Sequence, residues 1–421
     1  MKSNGNAPDR AGSQMTPKPF DVIVFVPSPW LMVKSLPENT VLELVRRGHR
    51  VLVVEPLNSI ASYIRNIGWL KKPARTSWGM RQVGENVWVL SPPPLGVPGV
   101  SRSVAAATAT ARLLAIIVAR AAAALGFKEY AVWTYLYNSG PALKALPARF
   151  RIYECGDNDV ALARNDLQRR TVEQMEERTC KAADLVICCS DELNALRIRH
   201  NPHTHPVYCA ADAEFFAAAL MPSTAVPADI AQLRHPVIGY MGGMDPWKID
   251  IALVAELARR RPDWSFAFIG FVWFGFDRSV FGGLQNVHIL GPRDYDAFPG
   301  YLKGIDVGIM PFPLNDITRY GDALKCYEYL AAGLPVVSRP VPVALRLKHL
   351  VRVASSADEF ISATELALKE DPAASVSRSK AMAEAHTWRH RVGQKLDLIA
   401  SLWNSTGAVE REAGQRVPED I

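Results

Sequence analysis

Lys325 and Glu328 stand three residues apart in the tract GDALKCYEYLAAGLPVVSRP, a spacing that puts both on one side of a helix. A lysine near a helix start can hold a diphosphate, and a carboxylate can accept hydrogen bonds from both hydroxyls of a ribose. Those are the two handles that every sugar nucleotide offers. The same spacing also suits an exposed ion pair on a helix closed by Gly333-Leu334-Pro335, an arrangement of small energetic weight. Gly242 and Gly243 follow the apolar run VIGYM. Without a Cβ they let backbone N–H groups approach a diphosphate, or they simply make a tight turn. Asp245, Trp247, Lys248 and Asp250 come next.

In the first half, Tyr153-Glu154-Cys155-Gly156-Asp157-Asn158-Asp159 places three acids directly after an apolar run. Carboxylates at a buried strand end are costly unless they face a cleft. Asp157 is the candidate to contact a hydroxyl nucleophile, as general base or as orienting group; an Asx-capped turn is the alternative. His200, His203 and His205 in RHNPHTHPV lack a second ligand group and read as a plain loop. The cysteines at 155, 180, 188, 189, 209 and 326 form no CxxC pair and no Cys/His cluster at zinc spacing. They read as reduced thiols, and no structural metal is expected. No G-x-G-x-x-G follows the first strand of either half, which disfavours a nicotinamide-dependent dehydrogenase.

Positioning these residues calls for strands that end beside them. From Phe20 onward, short β-branched runs alternate with helical stretches, the signature of parallel sheets built from βα units. DVIVFV, GHRVLVVEP, NVWVLSPP, AVWTY, RFRIYEC and ADLVICCS read as strands, with helices over about 37–47, 101–125, 163–181 and 191–200. HPVIGYMGG, WSFAFIG, NVHILG, DVGIMPF and LPVVS restart the pattern, with helices over IALVAELARRRPDW and near 296–303 and 322–332. The implied organisation is a disordered tail over 1–19, an α/β domain over 20–210, a linker over 211–235, a second α/β domain over 236–385, and a C-terminal helix and tail over 386–421. Two doubly wound domains then face a cleft, with ligands at the carboxyl ends of the strands.

Composition sets outer limits. The 421 residues are 49% hydrophobic and 21% charged, which excludes a disordered chain, a collagen or a small disulfide scaffold. A net charge of +6 favours anionic partners weakly and gives no case for nucleic acid. Residues 1–19 have no apolar stretch of the kind a secretory signal needs. The Ala-rich stretch 104–125 carries Arg112 and Arg120, which argues against a spanning helix. It reads as a core-packed helix or as one lying on a membrane surface. PSPWLMVK, with Trp30 expected to be exposed in a post-strand loop, reads as lying on the membrane in the same way or as contacting an acceptor.

YEYLAAGLPVVS, with VIGYMGGMDPWKIDIALVAELARRRPDWSFAFIG, NVHILGPRDY and DVGIMPF in the same order, resembles the glycosyltransferases of GT-B fold. The likeness is greatest to the large family 4 and its teichuronic-acid and exopolysaccharide relatives. In the first domain it rests on RGHRVLVVEP, VWVLSP, YECGDN, ADLVICCS and the AADAEFF tract. The resemblance implies an α/β GT-B architecture of two Rossmann-like domains. It implies transfer of a hexosyl group from a nucleotide-diphosphate donor, UDP-linked, bound mainly by the second domain. The acceptor, a saccharide or polyprenyl-linked intermediate, would sit mainly on the first, and Asp157 stands where relatives often bear an acid. Glu328 matches the glutamate that holds the ribose, and Lys325 the phosphate-binding lysine of relatives whose motif reads K-x-x-E-Y. Lys248 matches a second phosphate-facing cation, or is a solvated lysine. Gly270 and the Gly291-Pro292-Arg293 turn occupy loops that border the nucleobase in relatives, or are strand-ending turns.

One departure from the family pattern stands out: eight positions before Glu328, where the motif has its first glutamate, this chain has Tyr320, with only Asp322 acidic nearby. Donor sugar and stereochemical outcome are left open by that change. The resemblance implies no metal and no other cofactor, because a helix N-terminus and basic side chains neutralise the leaving diphosphate. It implies polysaccharide or glycolipid assembly in the cytoplasm, on the inner face of an anionic membrane. The rivals are a sugar-nucleotide epimerase of the same fold, which would need no acceptor, and a non-catalytic nucleotide-binding subunit, which would not hydrolyse donor.

Overall fold

The apolar runs DVIVF, RVLVV and YAVWT are buried almost throughout, as parallel strands covered on both faces must be. The computed structural model describes residues 18–30, 34–60, 78–273 and 275–414; the tail expected over 1–19 lies outside them but for its last two residues. Eight strands, β1 (Asp21–Phe25), β2 (Arg50–Val54), β3 (Gly79–Gly84), β4 (Val87–Ser91), β5 (Tyr130–Thr134), β6 (Phe150–Cys155), β7 (Leu185–Cys188) and β8 (Thr204–Pro206), form one sheet in the order β3-β4-β2-β1-β5-β6-β7-β8. Only β3 pairs antiparallel. A second sheet, β9 (Val237–Met241), β10 (Ser265–Ile269), β11 (Val287–Gly291), β12 (Val307–Met310), β13 (Val336–Ser338) and β14 (Val351–Val353), is parallel in the order β11-β10-β9-β12-β13-β14. Both sheets are doubly wound, and their strand order reverses between β1 and β5 and between β9 and β12. Ligand crevices open at such reversals.

β3, β8 and β14 are not anticipated by the sequence pattern. β3 (GMRQVG) is exposed at five of its six positions, so no alternation marks it, and β8 and β14 have three residues each.

Six helices position the site: α1 (Leu36–Arg46), α2 (Val104–Ala124), α3 (Asp166–Ala182), α4 (Ile251–Arg260), α5 (Leu324–Ala331) and α6 (Trp388–Gly414). α2 is long and apolar enough to cross a membrane by length and composition alone. It nonetheless packs one face into the first domain through Ala107, Ala111, Leu114, Ala115, Val118 and Ala122, leaving Arg112, Ile116 and Arg120 exposed opposite. Trp30, expected to be exposed, is instead buried, because its N–H donates to Glu55 Oε1 at 3.0 Å and its ring joins the core. Leu31, Met32 and Val33 of the same tract lie outside the described residues.

α6 follows the second domain in sequence but packs on the first. Trp403 stacks on Phe150 and lies 5.1 Å from Phe20, ring centre to ring centre. Lys395 and Glu154, both buried, are joined at 2.6 Å, and Trp133 Nε1 donates to the other carboxylate oxygen at 2.9 Å. Where the chain returns, Ala211 and Thr387 form a parallel bridge, and Ala211 N–H donates to His386 O at 3.1 Å.

Candidate active site

The glycine turn after β9 and the first turn of α5 meet at the β9/β12 reversal. Gly242 has φ +144°, and a Cβ there would stand 2.9 Å from Lys325 Nζ, so the ammonium lies directly over the turn. The Met241 N–H donates to the Tyr329 hydroxyl oxygen at 2.6 Å, which pins α5 against the end of β9. Gly333, at φ +81°, closes the helix: its N–H reaches Leu330 O, and the Leu334 N–H reaches Tyr329 O at 2.9 Å, the paired bonds of a Schellman cap. At the other end, Ala323 supplies no side-chain cap. The Cys326 N–H reaches Ala323 O at 3.1 Å, but no side-chain oxygen caps the start of α5, and a cation stands in a turn where the helix dipole favours an anion. A diphosphate placed there would satisfy both.

Lys325 and Glu328 are half-buried on one side of α5, and among the described residues neither takes part in a salt bridge. The exposed ion pair that their spacing also allowed is therefore not what forms. Lys325 lies over the Tyr240 and Phe312 rings, at 5.0 and 5.6 Å, and burial pushes its ammonium below the usual range, with Glu328 opposing. Burial pushes the Glu328 carboxyl up to about 7, against the pull of Lys325 and of Lys34.

The other donor-side candidates separate. Lys248 is half-buried after the turn, and its charge acts on the Tyr240 phenol, which donates to Gly243 O at 3.0 Å. Gly243 and Lys325 thus meet at the Tyr240 side chain, on which the charge of Lys248 also acts. Gly270 has φ +146°, and a Cβ there would stand 2.0 Å from Gly242 O. Its place is explained by backbone packing behind the turn, which a side chain would break. Arg293 does not reach toward the lysines: its Nη2 binds Asp229 Oδ2 at 2.6 Å, and its Nε pairs with the Tyr301 hydroxyl. This guanidinium ties the linker to the second domain. Asp322, the acid nearest the missing first glutamate, is occupied as well. It accepts from Cys209 N–H at 2.6 Å, Tyr327 at 2.9 Å and Arg346 at 2.5 Å, so it anchors the return strand rather than facing a sugar. The Tyr320 carbonyl accepts from Ser190 Oγ of the first domain at 2.6 Å.

Across the cleft, β6 ends at the acidic tract. Asp157 is exposed. Asp159, half-buried two residues on, is pushed up to about 8 by burial, then by Glu176 and Asp157. Glu176 itself holds Arg197 at 2.7 Å and the Tyr153 hydroxyl at 2.9 Å. Glu154, the third acid of the tract, belongs to the buried pair with Lys395. Sequence reasoning gave no role of their own to Lys34 and Tyr295, the last residues of PSPWLMVK and NVHILGPRDY; the charge of Lys34 acts on Glu328, and that of Glu328 on Tyr295.

Residues 235–370 match the family described as Glycosyl transferases group 1. That match falls on the second domain. Over 210 residues the chain is 31% identical to TuaH of Bacillus subtilis (strain 168), a glycosyltransferase assigned to teichuronic acid biosynthesis. That match takes in 47% of this chain and 52% of TuaH, so the chain spans about half the length of this curated relative. The whole two-domain fold is shared with sucrose-phosphate synthase of Thermosynechococcus elongatus, at TM-score 0.62 and 16% identity, over 94% of this chain and 100% of that one. It is shared also with the E. coli trehalose-6-phosphate structure bound with UDP-2-fluoro glucose, at TM-score 0.61 and 14% identity, over 95% and 100% of the two chains. The architecture is GT-B. The matched residues 235–370 include the glycine turn, Lys248, Lys325 and Glu328, whereas Asp157 lies outside them.

Proposed function

We propose that the protein transfers a sugar from a nucleotide-diphosphate donor, UDP-linked, to a saccharide or polyprenyl-linked acceptor in polysaccharide or glycoconjugate assembly. The observation that carries this reading is the convergence of Lys325, the uncapped start of α5 and the Gly242-Gly243 turn, with Glu328 one helical turn away. The diphosphate would lie on the lysine and backbone N–H groups, and the ribose hydroxyls on Glu328. Lys325 and the helix start would stabilise the charge that develops on the leaving diphosphate, a role a metal plays elsewhere; we include metal independence in the proposal. The acceptor would approach from the Asp157 wall.

Charge-assisted hydrogen bonds contribute about 1.5–3 kcal/mol each. Lys325→Ala and Glu328→Ala are therefore expected to weaken UDP binding by roughly 10- to 150-fold in calorimetric titration, and wild-type affinity in both variants would remove the site. Turnover that requires acceptor separates transfer from epimerisation, and donor hydrolysis by the isolated chain separates an enzyme from a nucleotide-binding subunit.

We further propose work in the cytoplasm on the inner membrane face, with the exposed Arg112, Ile116 and Arg120 stripe of α2 resting on anionic lipid. Each basic residue at such a surface contributes on the order of 1 kcal/mol. Flotation with anionic liposomes should carry the protein upward at low salt and release it at high salt; protein that stays wholly in the soluble fraction at low salt overturns this part.

A further inference from the structure

We propose that Trp273 is a further donor-binding residue, its indole N–H joining Lys325 in holding the diphosphate over the Gly242-Gly243 turn. The proposal rests on the reading of that turn as the diphosphate site. A Cβ on Gly243 would stand 2.8 Å from Trp273 Nε1, much as one on Gly242 would stand 2.9 Å from Lys325 Nζ. Two nitrogens from two different elements thus lie over adjacent residues that both lack a side chain. An indole nitrogen and an ammonium only donate hydrogen bonds. What fits between them is an acceptor, and beside a cation an anionic one makes the stronger bonds.

Backbone pairing sets the indole in place. Beyond the glycine turn the contact between the β9 and β10 chains resumes: Met244 and Val272 form a parallel bridge, the Met244 N–H donates to Phe271 O at 2.7 Å, and the Trp273 N–H donates to Met244 O at 3.1 Å. Phe271 meets the Trp273 ring edge to face, with centroids 6.0 Å apart at 66°, a favoured aromatic geometry that fixes the ring's tilt. Trp273 keeps 40% of its surface exposed, so the ring is open to a ligand. Acceptors that follow the turn are engaged by the chain itself. Asp245 Oδ1 accepts from the Trp247 N–H and Asp250 Oδ1 from the Leu253 N–H, each at 2.9 Å, and Gly243 O accepts from the Tyr240 hydroxyl at 3.0 Å. The ammonium and the indole are the donors left over the two glycines.

Calorimetric titration of UDP tests this with Trp273→Phe, which keeps an aromatic ring and removes the donor. Affinity should fall about tenfold or more, the loss of one hydrogen bond to a charged group. A second readout is the indole N–H signal that a nitrogen–proton correlation spectrum shows for the wild type and lacks for Trp273→Phe. It should move to low field with inorganic pyrophosphate and with UDP, and stay in place with uridine. The other indole signals of the variant should keep their positions, which reports an intact fold. Wild-type UDP affinity in Trp273→Phe overturns the proposal. So does a Trp273 signal that follows uridine and not pyrophosphate, which marks a ring stacked on the nucleoside. Lys325→Ala separates the two readings. If it binds UDP like the wild type, the diphosphate site falls and this proposal with it; if it binds weakly while Trp273→Phe keeps wild-type affinity, this proposal alone falls.

Discussion

Asp157→Asn is expected to lower turnover by roughly 10²–10⁴, the usual contribution of a general base, with UDP affinity close to wild type. The geometry separates the two effects: Asp157 stands exposed at the end of β6, in the other domain from Lys325 and Glu328. Its neighbour Asp159 sets the necessary comparison. Burial and two nearby carboxylates push Asp159 up to about 8, which places a second titrating acid in the same tract. The charge of Glu176, already engaged by Arg197 and Tyr153, acts on the half-buried Asp159, whereas Asp157 is exposed. Steady-state kinetics on Asp157→Asn and Asp159→Asn decide between them. A wild-type rate in the first and a collapsed rate in the second would move the role two residues along the chain. A loss well under 100-fold in Asp157→Asn would suit an orienting group, as in a transfer that retains configuration.

The second large effect concerns stability. Lys395→Met is expected to cost about 3–5 kcal/mol, read by urea denaturation, because it leaves the buried Glu154 carboxylate without its cation. Lys395 and Glu154 are 0% and 1% exposed at 2.6 Å separation, and the further partners of the pair, Trp133 Nε1 and Thr40 Oγ1, are neutral. Replacing both charges, as in Glu154→Leu with Lys395→Met, should recover most of the loss, since a well-packed apolar pair often matches a buried ion pair. Loss of the same size in the double variant would mean that α6 is held by something other than this charge balance.

The grouping of the proposed donor-side residues was legible in the sequence because its parts are local. Lys325 and Glu328 share one short helix, the Gly242-Gly243 turn follows one apolar run, and parallel strands with continuous apolar cores announce themselves. What stayed hidden depends on contacts between distant segments. Arg293 looks free in sequence, and only the fold brings Asp229, 64 residues earlier, to its guanidinium. Trp30 read as exposed because a loop of mixed polarity gives no sign of the core it enters. Lys34 ends the tract PSPWLMVK, but its partners show only once the linker and the loop after β11 are seen around its ammonium. The departure at Tyr320 was visible at once, but that Asp322 does not replace the missing glutamate could be learned only from its three hydrogen bonds.

The return of α6 to the first domain bears on how the protein is made. During synthesis, β1 to β8 leave the ribosome long before Lys395, and until then Glu154 has no cation to meet and Phe150 no Trp403 to cover it. The first domain to emerge is therefore the last to be completed. A ribosome stalled within the second domain should display a nascent chain whose amino-terminal half is still open to protease, and a chain released before Lys395 should not recover that protection on its own.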